Sequence, residues 1–167
     1  MAAVRKHIRK ISSILLIAYL MLLCYFLFFS ENLGRTAEIR EYRYNLTLFR
    51  EIRRFYMYRD ILGTEAFMLN VVGNVAAFMP LGFFSAILMR PKEKWYWVTL
   101  RGFELSLLVE LLQFITRLGC ADVDDLFLNT LGTWTGYICY WIWIRIDRRS
   151  RSKNRRNHGR KKQKKSI

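Results

Sequence analysis

The chain has 167 residues, of which 53% are hydrophobic and 16% aromatic, and it carries a formal net charge of +15. Soluble globular domains have a lower apolar content that is mixed more evenly with charge, so this composition excludes an ordinary soluble domain. It is typical of a small membrane protein whose charges lie in its tails.

Four apolar segments have the length of membrane-spanning helices. They cover residues 11–29, 66–89, 95–116 and 123–144. Each has about the 17–25 residues that cross roughly 30 Å of hydrocarbon. The third is the least hydrophobic, because it carries Arg101, Glu104, Glu110 and Gln113. We therefore predict an all-α integral membrane protein with four transmembrane helices.

Lysine and arginine set the expected orientation of these helices. The segment 1–10, the loop 90–94 and the tail 145–167 contain 4, 3 and 12 basic residues. Because positively charged flanking segments stay on the cytoplasmic side, we predict a plasma-membrane protein with both termini in the cytoplasm. No small-residue cleavage pattern follows the first span, so we expect an uncleaved anchor there. Residues 11–144 then form the membrane domain.

The tail 145–167 has almost no apolar residues, and we expect self-repulsion to keep it disordered in the cytoplasm. A tether to anionic lipids combined with a topology signal is the favoured interpretation. A nucleic-acid arm is the alternative, but the tail lacks the interleaved aromatic residues that bind single strands. We therefore expect no nucleic-acid partner.

The outer loop contains a second kind of helix. In residues 46–62, Leu48, Ile52, Phe55 and Leu62 recur near the helical period. Such a pattern predicts an amphipathic helix that lies in the outer membrane interface. Its arginines, which are Arg50, Arg53 and Arg54, are candidates for headgroup contact, since guanidinium groups bind phosphate bidentately. An ordinary interfacial helix with snorkelling arginines is the alternative interpretation.

Polar residues interrupt three of the predicted spans in stripes at helical spacing. The second span carries Asn70 and Asn74, the third carries Glu110, Gln113 and Arg117, and the fourth begins with Asp122, Asp125 and Asn129. Polar groups in hydrocarbon are costly, and they mark functional sites unless they pair with one another. From the direction of each span, all of them belong to the outer half of the bilayer. We predict that they converge on one ligand-binding pocket, with hydrogen bonding between helices as the alternative role.

Further along the fourth span, Gly132-x-x-x-Gly136 forms a small-residue face that predicts close helix packing. With Asn70-x-x-x-Asn74, Phe78-Met79-Pro80-Leu81-Gly82, Glu110-x-x-Gln113-Phe114 and Asp122-x-x-Asp125-x-x-x-Asn129, this pattern resembles the VanZ-like family. The segment Asn45-Leu46-Thr47-Leu48-Phe49 is similar to that family's Asn-Leu-x-Pro-Phe, with leucine in place of proline. The resemblance implies a part in resistance to teicoplanin-type glycopeptide antibiotics or in envelope homeostasis. It implies no catalytic residue.

Three function classes follow from these residues. The only histidines, His7 and His158, lie in the cytoplasmic tails, which excludes a histidine-dependent hydrolase acting outside. The favoured class is a non-catalytic envelope protein that binds a polyprenyl-linked wall precursor or a lipid headgroup, with the lipid bilayer as its other partner. A metal-assisted enzyme acting on polyprenyl (pyro)phosphate lipids and a small proton-coupled transporter stay open as alternatives. We predict no resident metal or cofactor, and the sequence leaves the ligand and the oligomeric state open.

Overall fold

A computed structural model of the chain describes residues 2–29, 42–89, 94–117 and 120–164. The chain is helical apart from one short pair of strands in this part. In order, the elements are α1 (Ala2–Phe29), β1 (Arg43–Asn45), α2 (Arg50–Met57), α3 (Arg59–Leu62), α4 (Thr64–Leu88), α5 (Trp95–Thr116), β2 (Cys120–Asp122) and α6 (Val123–Lys164). Residues 90–93 of the basic loop and 165–167 of the basic tail lie outside the described residues.

Two of the described helices are long and apolar enough to cross a membrane. They are Lys6–Phe28 within α1 and Phe67–Leu88 within α4. The all-α class is confirmed, and these two helices are candidate spans by length and composition. The spanning role of α5 and α6 stays a prediction, although α5 has the bounds that the sequence predicts for the third span.

The largest interface in the fold joins α4 and α6, whose backbones lie in direct contact. A Cβ atom added to Gly132 would overlap the carbonyl oxygen of Val75, and one added to Gly136 would overlap that of Met79. On α4, Gly82 lies equally close to the carbonyl oxygen of Thr133. The predicted glycine face of α6 is therefore the surface on which α4 packs.

The first helix also packs against α4. Leu23 of α1 forms a buried apolar cluster with Phe78 and Leu81 of α4. The hydroxyl of Tyr19 donates a hydrogen bond to the carbonyl oxygen of Ala77. That carbonyl is next to the one of Ala76, which lacks its helical donor because Pro80 has no N–H.

A parallel strand pair, which the sequence pattern did not predict, closes one end of the bundle. Arg43 is in register with Cys120, and Asn45 is in register with Asp122. The pair attaches the outer loop to the connection between α5 and α6. It brings together residues that are 77 positions apart in the chain.

Two expectations differ from the structure. The predicted single helix at 46–62 is divided into α2 and α3, with a turn at Tyr58. Ile52 and Phe55 are half-buried as expected, but Leu48 is 46% exposed. The tail expected to be disordered is helical as far as Lys164. Most of its residues are lysine, arginine and glutamine, which are good helix formers, and it contains no proline.

Candidate functional site

Three polar side chains meet where the strand pair lies against the end of α5. The backbone N–H of Asp122 donates to Oε2 of Glu110 at 2.8 Å, so a side chain from α5 binds the backbone of β2. The side-chain amide of Asn45 donates to Oδ1 of Asp122 at 2.9 Å. All three residues are buried. We call these three residues, together with Asp124, the carboxylate cluster.

Asp122 also caps the N-terminus of α6, whose first residue is Val123. Its Oδ1 accepts a second hydrogen bond, from the backbone N–H of Asp124 at 2.8 Å, which is the arrangement of a helix N-cap. Burial raises the pKa of the Asp122 carboxyl above its usual value, while the bonds from Asp124 and Asn45 act in the opposite direction. The neutral form of this side chain is therefore less unfavourable than it would be in water.

Asp124 is fully buried and binds a different helix. Its carboxylate accepts hydrogen bonds from the backbone N–H groups of Phe49, of Glu51 at 2.8 Å and of Ile52 at 3.2 Å. These are groups at the beginning of α2 that have no partner inside that helix. A carboxylate at a helix N-terminus is also favoured by the helix dipole. Asp124 thus holds α2 on the end of the bundle.

Asn74 and Asp125 form the more accessible part of the site. Nδ2 of Asn74 donates to Oδ1 of Asp125 at 2.6 Å, which joins α4 to α6. Both residues are half-buried, as is Asn70 one turn earlier on the same face of α4. Oδ1 of Asn70 is buried and has no hydrogen-bond partner in the described part of the chain. We call Asn70, Asn74 and Asp125 the acceptor face.

The remaining predicted pocket residues lie elsewhere. Nε2 of Gln113 donates to the carbonyl oxygen of Leu27 on α1 at 3.4 Å. Nδ2 of Asn129 donates to Ser106 Oγ at 3.0 Å, deeper between α5 and α6, and its Oδ1 has no described partner. Arg117 is exposed, and its guanidinium lies 4.1 Å from the ring centre of Tyr42. The structure does not bring Arg117 to the carboxylates.

Arg117 lies away from the carboxylates because α5 ends before it. The helix stops at Thr116, and Arg117 has a positive φ of 55°, which turns the chain away from the helical path. The predicted stripe assumed that the helix continued through this residue. Gln113, the last stripe member before the end, stays on the buried face.

Arg50, Arg53 and Arg54 are exposed on α2. Arg54 forms an ion pair with Glu51 at 2.6 Å, and its guanidinium lies 5.1 Å from the ring centre of Phe55. A groove of about 390 Å³ runs along this helix, lined by the three arginines and by apolar side chains that include Leu48 and Met57. The predicted headgroup-contact residues therefore share one groove.

The acidic side chains of the site form no ion pair with a basic residue that the structure describes. Two ion pairs between described residues are Glu51 with Arg54 and Arg59 with Asp60. None of them involves Glu110, Asp122, Asp124 or Asp125. No group of three or more His, Cys, Asp or Glu in the described ranges is arranged to hold a metal ion. The site therefore presents hydrogen-bond acceptors, which suit a ligand that carries amine or hydroxyl groups.

The fold and the site together define a class: a helical protein with two membrane-length apolar helices and a cluster of buried carboxyl groups at one end. Residues 16–144 match the VanZ/LLP1 family, and the chain belongs to it. Membership in that family points to a membrane protein of the kind linked to glycopeptide resistance. No curated protein and no solved structure gives a significant match.

Proposed function

We propose that this chain is a multi-pass protein of the bacterial plasma membrane in which α5 and α6 cross the bilayer beside α1 and α4. The exposure pattern of α5 supports this. Its apolar side chains, such as Leu108, Leu111 and Ile115, are half or more exposed, whereas Ser106 and Glu110 are buried. Polar residues of membrane-spanning helices face the bundle interior, as Ser106 and Glu110 do, and apolar ones face lipid. Arg101 and Glu104, which are exposed, lie in the half of α5 nearer its beginning, where long side chains can reach the interface.

Aromatic residues at the two ends of α5 also support a spanning helix. Trp95, Tyr96 and Trp97 begin it, and Phe114, near its end, contacts Tyr42 and Tyr44. Tryptophan and tyrosine are enriched at both membrane interfaces. From Trp95 to Phe114 the helix rises about 30 Å at 1.5 Å per residue, which is the thickness of the hydrocarbon. The carboxylate cluster then belongs to the outer interface, with both termini in the cytoplasm.

At that interface the protein binds a lipid-linked wall precursor or a lipid headgroup. The observation that carries this proposal is the acceptor face, which holds a half-buried carboxylate and a buried amide oxygen without a described hydrogen-bond partner. No basic side chain in the described part of the chain forms an ion pair with that carboxylate. Buried acceptors without donors are costly. A ligand amine or hydroxyl group that donates to Asn70 and Asp125 removes that cost, and the bilayer is where such a ligand reaches them.

Binding of this kind would alter the response to glycopeptide antibiotics. These drugs act on wall precursors at the outer face of the membrane, and a protein that holds the precursor headgroup hides or diverts part of that target. The support comes from the family to which the chain belongs and from the acceptor face. Glu110 is buried and accepts the backbone N–H of Asp122, so it holds β2 and the first turn of α6 in place.

The test is charge removal that keeps the shape of the site. In the double variant Glu110→Gln, Asp125→Asn each new amide retains an oxygen that accepts the hydrogen bond now made to Asp122 or Asn74. We expect normal protein levels, an altered set of co-purified lipids and a loss of the effect on glycopeptide susceptibility. Lipidomics of the purified protein and susceptibility assays measure both.

Asp60→Asn is the matched control, because Asp60 is an exposed acid on α3, near the same end of the bundle. It should leave the lipids and the susceptibility unchanged. If the double variant retains the wild-type lipids at normal protein level, the acceptor face is structural and the proposed function is wrong.

A further inference from the structure

We infer that the groove along α2 binds the phosphate group of a membrane lipid, so that the ligand of the proposed function is a phosphate-bearing lipid. This inference rests on the proposed function, because it needs α2 at the membrane surface. It adds the chemical group that is recognised and the residues that recognise it.

The arginines of α2 differ in what they already bind. Arg54 is committed to Glu51 at 2.6 Å and to the ring of Phe55. Arg50 and Arg53 form no ion pair with a described residue, and both side chains are exposed. Residues three apart on a helix have Cβ atoms about 5–6 Å apart, so both guanidinium groups can reach one phosphate. Arginine suits this task because its planar fork binds phosphate oxygens in pairs.

The walls of the groove favour a lipid over a soluble anion. Leu48 and Met57 line it and are 46% and 63% exposed, so an apolar surface adjoins the cationic one. Ile61 of α3 and Tyr58 extend the apolar surface beside Arg54 and are 80% and 52% exposed. A lipid offers a phosphate for the arginines and a hydrocarbon chain for these side chains. Inorganic phosphate would bind only the arginines.

The helix that carries the groove is held in place before any ligand arrives. The buried carboxylate of Asp124 binds the N–H groups of Phe49, Glu51 and Ile52 and so fixes the start of α2. The ring of Phe49 also packs edge-on against Phe127 of α6, with 5.4 Å between ring centres. A rigid helix loses little entropy when a headgroup binds.

Native mass spectrometry of the full chain in detergent tests the groove, with phosphatidic acid, diacylglycerol and inorganic phosphate as the three probes. We expect the wild type to retain phosphatidic acid and not diacylglycerol, and inorganic phosphate not to displace the lipid. The double variant Arg50→Gln, Arg53→Gln should bind phosphatidic acid about tenfold more weakly, since it loses the charge-assisted bonds. Arg117→Gln, which removes a charge outside the groove, should bind as the wild type does.

A second variant separates phosphate recognition from mere positive charge. Arg50→Lys, Arg53→Lys keeps both charges but not the fork, so we expect it to be weaker than the wild type. Equal retention of diacylglycerol, displacement by inorganic phosphate, or unchanged binding in the glutamine variant would each overturn the inference. If the glutamine variant is unchanged while Glu110→Gln, Asp125→Asn still alters the co-purified lipids, the groove is wrong and the proposed function stands.

Discussion

Gly132→Ala should destabilise the protein strongly, because its new Cβ would overlap the carbonyl oxygen of Val75. Backbone atoms cannot rotate out of the way, so α4 and α6 must move apart along their largest interface. Overpacking of this kind costs about 1–3 kcal/mol, and we expect the upper end. The higher helix propensity of alanine recovers less than about 1 kcal/mol. Thermal unfolding in detergent, followed by helical circular dichroism, measures the loss.

Gly73→Ala is the control for this effect, since it makes the same change on α4. A Cβ there meets only Leu69 of the same helix, at 3.8 Å. We expect its stability to equal or slightly exceed that of the wild type. Equal stability of the Gly132 and Gly73 variants would contradict the close contact between α4 and α6.

Asp124→Asn should release α2 from the bundle. Both oxygens of the carboxylate accept backbone N–H groups, and an amide can offer only one acceptor atom. At least one N–H loses its partner, at a cost of about 1–3 kcal/mol for a buried group. Hydrogen exchange at the amides of Glu51 and Ile52 should become roughly tenfold to a hundredfold faster.

Asp122→Asn provides the comparison, because Oδ1 alone accepts both of the hydrogen bonds that Asp122 receives. Asparagine retains that oxygen and is as good an N-cap as aspartate. We expect the exchange of the α2 amides to be unchanged in this variant. If the amides of Glu51 and Ile52 exchange fast in both variants, or in neither, Asp124 does not fix α2 through its hydrogen bonds.

The parts of the fold that depend on local spacing could be predicted from the sequence. The bounds of α5 and the glycine face of α6 follow from apolar periodicity and from small residues at i and i+4. The pairing of Asn74 with Asp125 follows from polar stripes that begin at the same depth. In each case the residues concerned belong to uninterrupted helices, where the period of the helix decides which way a side chain points.

The strand pair and its consequences could not be predicted in this way. Asn45 and Asp122 meet only because β1 and β2 pair across 77 residues, and three-residue strands have no alternating pattern to reveal them. Asp124 is not among the site residues that the sequence predicts, because the predicted polar stripe follows the face of Asp125 and Asn129. About 100° separates neighbouring residues on a helix, so Asp124 points to α2 instead. Its signal was present in the run Asp122-Val123-Asp124-Asp125, which offers carboxylates in several directions.

The acidic residues of the site therefore differ in role between the carboxylate cluster and the acceptor face. Asp124 and Asp122 use their oxygens to hold α2 and to begin α6, and both are buried. Asp125, half-buried, has one described hydrogen bond and faces Asn74. The sequence pattern predicts Asp122 and Asp125 as ligand-binding residues of one pocket and does not single out Asp124. The structure separates the two buried acids, which bind backbone N–H groups, from the half-buried Asp125.

Cysteine labelling from outside the cell tests most directly whether this end of the bundle faces the exterior. Single cysteines replace Arg53, Asp125 or Arg148 after Cys24, Cys120 and Cys139 have been changed to serine, and a membrane-impermeant maleimide is added to spheroplasts. We predict labelling at position 53, slower labelling at position 125, and labelling at position 148 only after permeabilisation. If position 148 is labelled in intact spheroplasts and position 53 is not, α2 lies on the cytoplasmic side and the account is wrong.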